Sequence, residues 1–115
     1  MFALLEELNP HFAAALRRRV DLSELTIISL QLTPRQAVVV TNRSIYFFRQ
    51  GILAMHTKVV PLGEVKLIRV AGTDLLLEGK KGRLGKMEFG SKKDFQGQVY
   101  KKLQGLIKDW TTGRA

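Results

Sequence analysis

The chain has 115 residues, a formal net charge of +9 and no cysteine. This length suits one domain with its own core, and the lack of cysteine excludes disulfides and thiolate metal sites. The charge is uneven, since residues 1–24 carry −1 and the remaining residues carry +10. Such a positive field attracts phospholipid headgroups, nucleic acid or an acidic protein surface. Simple solvation of the outer faces is the alternative explanation.

The apolar stretches are far shorter than the roughly 20 residues of a membrane span. The N-terminus carries Glu6 and Glu7 in place of the basic segment of a secretory signal. We therefore expect a cytoplasmic protein, with peripheral association at the membrane as the alternative.

The N-terminal segment, residues 1–24, has a helical pattern. Its apolar residues recur at helical spacing: Phe2, Leu5, Leu8, Phe12 and Leu16. Asn9 and Pro10 resemble an N-cap followed by proline at the first helical position. We predict a turn or short helix up to residue 8 and a helix over about 10–19. The arginines at 17–19 then offset the negative end of this helix, and a membrane-surface amphipathic helix is the alternative.

From residue 25 the pattern changes to short β-rich runs separated by turn residues. Seven strands are predicted, over residues 25–32, 37–41, 44–49, 54–60, 65–70, 75–78 and 84–89. Asn42 and Arg43 suit a tight hairpin turn, because asparagine tolerates a positive φ. Many short antiparallel strands indicate a closed or nearly closed barrel. We therefore expect a domain over residues 25–115 that follows the N-terminal segment.

The last segment predicts an amphipathic helix that closes the barrel. Ser91 is the candidate N-cap, with Asp94 three residues later in a near capping-box pattern. One apolar stripe follows: Phe95, Val99, Leu103, Leu106 and Trp110. This stripe needs a buried partner, and the predicted barrel provides it.

Residues 40–47 (VTNRSIYF), Gly51 and residues 57–65 (TKVVPLGEV) resemble the motifs of short bacterial pleckstrin-homology-like (PH-like) domains of the YokE-like type and of the related GRAM domains. The resemblance covers roughly residues 25–110. It implies seven strands in two near-orthogonal sheets with the helix at one end. It also implies that the loops after strands one, three and six gather at the other, open end. The phosphoinositide signature of basic residues in strands one and two is not present here.

The basic residues of those open-end loops are the candidate site for anions or lipid. They are Arg35, Arg49, Lys80, Lys81 and Arg83. Each such cation contributes about 1 kcal/mol near an anionic membrane. Between strands three and four, Ile52 and Leu53 form a candidate apolar loop tip suited to shallow insertion or a protein contact. The alternative is that both residues begin strand four and point inward.

Catalysis, metal binding and base stacking have little support in the sequence. His11 and His56 fall in different elements, without a nucleophile at triad spacing and with too few partners for a metal. We expect no enzyme activity, no metal and no cofactor. Tyr46 and Phe48 alternate with Phe47 on one strand, so an exposed pair would be able to stack on bases, whereas Phe47 is expected in the core.

The sequence therefore predicts a non-catalytic binding module that engages an anionic membrane surface or an acidic protein partner through its open-end loops. The second hypothesis is homo-oligomerisation or protein assembly through the helix over residues 9–19 and its apolar neighbours. The third is non-specific nucleic-acid binding, which the positive charge permits.

Overall fold

The computed structural model describes residues 5, 6, 8–20 and 24–112, with the side chains of 111 and 112 excepted. The chain divides into two compact units, Met1–Val59 and Val60–Ala115. The first unit contains one helix and most of a four-stranded sheet, and the second contains a three-stranded sheet and the C-terminal helix. In the described part of the chain, neither helix is both long and apolar enough to cross a membrane.

The first sheet is antiparallel, and its strands follow one another in chain order. They are β1 (Thr26–Thr33), β2 (Gln36–Thr41), β3 (Ser44–Gln50) and β4 (Met55–Pro61). These bounds confirm the four predicted strands to within a residue or two. The Glu6 N–H donates to the Ser29 carbonyl at 2.7 Å, so the chain at residues 5 and 6 runs along the outer edge of β1. The predicted turn or helix up to residue 8 is therefore wrong at these two positions, and residues 1–4 and 7 lie outside the described part.

Helix α1 (Pro10–Arg19) begins as predicted at an asparagine cap followed by proline. The Asn9 side-chain oxygen accepts hydrogen bonds from the backbone N–H groups of His11 at 2.9 Å and Phe12 at 3.4 Å. These bonds satisfy donors that have no partner within the helix. The sequence signal at the start of this helix is therefore confirmed.

Helix α1 packs on one face of the first sheet. Phe12 is fully buried there, and its ring lies 6.4 Å from that of Phe48, measured between centroids. The shared core also contains Ala15, Ala37, Val39 and Tyr46. The helix predicted as part of a separate segment over residues 1–24 is thus packed against strands of the domain predicted over residues 25–115.

The turn between β2 and β3 is organised by the fully buried Thr41. Its hydroxyl accepts hydrogen bonds from the backbone N–H groups of Arg43 and Ser44, both at 3.1 Å, and donates to the Glu24 carboxylate at 2.7 Å. The Tyr46 hydroxyl lies 3.0 Å from both oxygens of the same carboxylate. This buried network explains the local role of the Thr-Asn-Arg-Ser sequence, because it satisfies polar groups that lie away from water.

The second unit contains an antiparallel sheet of three strands in chain order. They are β5 (Leu67–Ala71), β6 (Asp74–Gly79) and β7 (Gly82–Glu88). A short 3-10 helix (Leu62–Glu64) precedes the sheet, and a second one (Gly90–Phe95) follows it. Helix α2 (Gln96–Thr112) packs against the first 3-10 helix and β6, where Val99 and Leu103 are fully buried.

Two expectations about the fold need correction. The hydrogen-bonded ladders of the described residues form two separate sheets, so the seven strands do not make one closed barrel. Ser91 is not the N-cap of the last helix, because it lies inside the 3-10 helix that precedes α2. Gly90 adopts a φ of 49° and Lys92 has non-helical backbone angles, so a regular α-helix begins only at Gln96. What holds is the coarser prediction of a mainly β chain with seven antiparallel strands and a C-terminal helix.

Candidate anion-binding surface

The connection between β3 and β4 presents two apolar side chains to solvent. Ile52 is 93 % exposed and Leu53 is 97 % exposed, and β4 begins only after them, at Met55. We call this pair the apolar tip. The Gly51 N–H donates to the Ala54 carbonyl at 2.8 Å and so closes the loop behind the two residues. The apolar tip therefore projects outward and does not form the start of β4.

Glycine is required at position 51 for this tight closure. A Cβ atom there would lie 2.9 Å from the Ala54 carbonyl oxygen and 2.9 Å from Nε2 of His56. Both distances are shorter than real Cβ contacts allow. Gly51 is thus a positioning residue for the apolar tip, a role that was not predicted from the sequence.

Arg35 and Arg49 lie at the same end of the first sheet as the apolar tip. The turn containing Arg35 is fixed by two hydrogen bonds, one from its N–H to the Thr33 hydroxyl at 3.1 Å and one from the Gln50 N–H to its carbonyl at 2.7 Å. Arg49 is opposite Gln36 in the β2–β3 ladder. Both arginines are exposed, and neither forms an ion pair with a residue that the structure describes.

The other three predicted cations belong to the second unit. Lys80 and Lys81 form the exposed turn between β6 and β7, where Gly79 pairs with Gly82. Arg83 is exposed and stands opposite Glu78 in the ladder. Glu78 also forms an ion pair with Arg69 at 3.1 Å. The negative charge of the Glu78 carboxylate offsets part of the positive charge at this hairpin. The structure brings Arg35 and Arg49 together with the apolar tip in the first unit, and a single five-cation cluster stays a prediction.

A second basic feature of the first unit lies between the last turn of α1 and β4. Five residues line an open cavity of about 180 Å³: Ala15, Arg18, Arg19, Met55 and Thr57. We call it the arginine pocket. The arginines at 17–19 were predicted to stabilise the helix end, with a membrane-surface amphipathic helix as the alternative, and a pocket was not predicted. Arg18 and Arg19 could have been assigned to one site from their spacing, because positions 15, 18 and 19 share one face of a helix.

The aromatic residues of β3 do not form a stacking surface for bases. Tyr46 is 4 % exposed and Phe48 is 2 % exposed, and their stacked rings lie 6.2 Å apart between centroids under α1. The idea that this pair stacks on bases is therefore wrong, and so is the expectation that Phe47 is the core residue of the three, since Phe47 is only half-buried. The reason is that α1 covers the Tyr46 and Phe48 face.

The apolar stripe of α1 is used inside the first unit. Phe12 is fully buried, and Leu8 and Leu16 pack against the same core. Assembly through Phe12 would require the helix to leave its own sheet, whereas the neighbouring Leu5 is 58 % exposed, so homo-oligomerisation through this segment stays a prediction. Phe2 lies outside the described residues.

His11 and His56 are both exposed. Within the described ranges, no three His, Asp or Glu side chains are grouped so that they could hold a metal ion. No family model matches this chain, and no significant match exists among the curated proteins or the solved structures.

Proposed function

We propose that this chain is a PH-like domain that binds an anionic membrane surface through the apolar tip and the neighbouring Arg35 and Arg49. The observation that carries the proposal is the 93 % and 97 % exposure of Ile52 and Leu53 on a glycine-closed loop. The same end of the sheet holds two arginines that form no ion pair with a described residue. Adjacent apolar side chains on a projecting loop suit the boundary between headgroups and acyl chains, and nearby cations suit anionic lipid. The order of seven antiparallel strands and a C-terminal helix supports the PH-like part.

The expected affinity is low. An apolar side chain that leaves water contributes about 1.5 kcal/mol or more, and an arginine near anionic lipid contributes about 1 kcal/mol. For two of each, the gain is about 5 kcal/mol, which corresponds to binding between the millimolar and micromolar ranges. Binding should weaken steeply as salt screens the arginines, because exposed charges interact over roughly 8 Å at physiological ionic strength.

The test is co-sedimentation of the full chain with neutral and anionic vesicles, at low and at physiological salt. We expect sedimentation with anionic vesicles and much less with neutral ones. Replacing Ile52 and Leu53 together by serine should reduce binding by about a hundredfold, from the loss of roughly 3 kcal/mol of transfer free energy. The matched control is Leu25→Ser, because Leu25 is 69 % exposed but precedes β1 at the opposite end of the first sheet.

A second pair of variants tests the contribution of the arginines to membrane binding. Arg49→Gln should weaken binding to anionic vesicles several-fold, whereas Arg43→Gln should not, because Arg43 is exposed in the β2–β3 turn at the far end. Charge reversal of Lys80, Lys81 and Arg83 tests separately whether the second hairpin takes part. Absence of sedimentation with anionic vesicles at low salt would contradict the membrane proposal and direct attention to an acidic protein partner.

A further inference from the structure

The arginine pocket combines two guanidinium groups, one hydroxyl and an apolar floor. Its volume of about 180 Å³ is several times the roughly 30 Å³ that a water molecule occupies in the liquid, so a phosphate group fits inside. Ala15 is 5 % exposed, and Met55 packs against the buried core of the first unit. We propose that this pocket is a binding site for a phosphate group, with Arg18 and Arg19 as the charged ligands and Thr57 as the hydroxyl donor.

The chemistry of the lining residues favours phosphate over other anions. A guanidinium group presents paired N–H donors that match two oxygens of a phosphate. The Nε–H of Arg18 donates to the Ala14 carbonyl of its own helix at 3.4 Å, so the group is oriented while its terminal nitrogens stay available. The Thr57 hydroxyl on β4 supplies a donor from the opposite wall. The lining residues thus come from a helix and a strand on two sides of one cavity, which distinguishes the pocket from a row of solvated arginines on a helix surface.

The described carboxylates of the first unit, Glu6 and Glu24, have hydrogen-bond partners on the sheet. Neither Arg18 nor Arg19 forms an ion pair with any residue in the described ranges. Glu6 accepts a hydrogen bond from the Gln31 N–H, and Glu24 accepts from Thr41 and Tyr46. The carbonyl end of α1 adds only about half a negative charge, which the arginines at 17–19 more than offset. The five residues that line the pocket therefore carry a net positive charge.

Two arginines suit a phosphomonoester better than a phosphodiester. A monoester carries about −1.5 to −2 charges at neutral pH and three terminal oxygens, whereas the diester of most phospholipids carries one charge. The site therefore predicts selectivity for a terminal phosphate, either free in solution or on a lipid headgroup. The inference goes beyond the proposed function, because the pocket lies on α1 and β4 and includes none of Ile52, Leu53, Arg35 or Arg49.

The first experiment is an NMR titration of the full chain with inorganic phosphate at constant ionic strength, with chloride as the reference anion. We expect saturable shifts of the Arg18 and Arg19 Nε–H signals and of the Thr57 amide. Replacing Arg18 and Arg19 by glutamine should weaken phosphate binding by about tenfold or more, from the loss of charged hydrogen bonds. The control is Arg17→Gln, which removes one exposed charge of the same run from outside the pocket.

Thr57→Val keeps a β-branched residue on β4 and removes only the hydroxyl, so it should weaken phosphate binding without changing the fold. A circular dichroism spectrum like that of the parent protein verifies this for every variant. Shifts that do not saturate, or that Arg17→Gln reduces as much as the double variant does, would overturn the proposal.

The second experiment identifies the source of the phosphate. Vesicles containing phosphatidate, a lipid monoester, are compared with phosphatidylglycerol vesicles of the same net charge. A preference for phosphatidate that the double variant loses assigns the site to a lipid headgroup. Phosphate binding in solution without this preference assigns it to a soluble phosphomonoester. Loss of vesicle binding in the Ile52 and Leu53 variant tests the proposed function alone, so the two ideas can fail independently.

Discussion

Phe12→Ala tests whether α1 is an integral part of the first unit. Phe12 is fully buried between α1 and the sheet, with its ring 6.4 Å from that of Phe48 at an interplanar angle of 51°. Removal of a buried phenylalanine side chain costs about 3–5 kcal/mol, from lost transfer free energy and the remaining cavity. The tilted ring pair places the expected loss in the middle or upper part of that range. A chain of this length has a total free energy of unfolding of roughly 6–17 kcal/mol. The variant should therefore fold but be much less stable.

The assay is urea unfolding followed by far-ultraviolet circular dichroism. With an m-value of about 2 kcal/mol/M, a loss of 4 kcal/mol lowers the unfolding midpoint by about 2 M. Leu25→Ala is the control, because Leu25 is 69 % exposed and a surface substitution changes stability by no more than about 0.5 kcal/mol. Amide exchange in α1 should also accelerate in Phe12→Ala. A loss below about 1 kcal/mol, or a change of oligomeric state without a loss of stability, would refute the packing of α1 on its own sheet.

The remaining predictions concern one helix cap, one buried hydroxyl and one glycine. Asn9→Ala should lower the free energy of unfolding by about 1 kcal/mol, since two N–H groups of α1 lose their acceptor; urea unfolding measures it. Thr41→Val should cost about 1–3 kcal/mol by the same assay, because buried backbone donors lose their partner, while Thr26→Val at an exposed position should cost little. Gly51→Ala should distort the apolar tip and reduce sedimentation with anionic vesicles, whereas Gly63→Ala, with no atom within 4 Å of the added Cβ, should not.

The element order was predictable because the turn residues of this chain have strong local preferences. Asn9 and Pro10 gave the start of α1, and all seven strands lie within about two residues of their predicted bounds. The start of α2 was not predictable from the capping pattern, because Gly90 directs the chain into a 3-10 helix that holds Ser91. A capping pattern gives no information about the backbone conformation of the connection between a strand and the helix that follows it.

Which face of a strand is buried could not be read from alternation. Five consecutive residues of β2, from Ala37 to Thr41, are buried, so the period-2 rule carries no information there. The face of β3 with Tyr46 and Phe48 is buried because α1 covers it, and that packing depends on tertiary structure. Exposure of the apolar tip was not predictable from alternation either, since it accompanies the hydrogen bond between Gly51 and Ala54 that closes the loop.

The apolar tip and the arginine pocket are connected by strand β4, so both are able to act on the same membrane surface. Strand β4 begins directly after the apolar tip, and its residues Met55 and Thr57 line the arginine pocket. A strand rises about 3.3 Å per residue, so the Thr57 hydroxyl lies within about 15 Å of Leu53 along the chain. This length is an upper bound on the separation of the pocket from the tip, and the headgroup region is roughly 5–8 Å deep on each side of a hydrocarbon core about 30 Å thick. If the tip inserts, β4 holds the pocket near the membrane surface, and Thr57→Val should reduce phosphatidate selectivity while leaving sedimentation with phosphatidylglycerol vesicles unchanged.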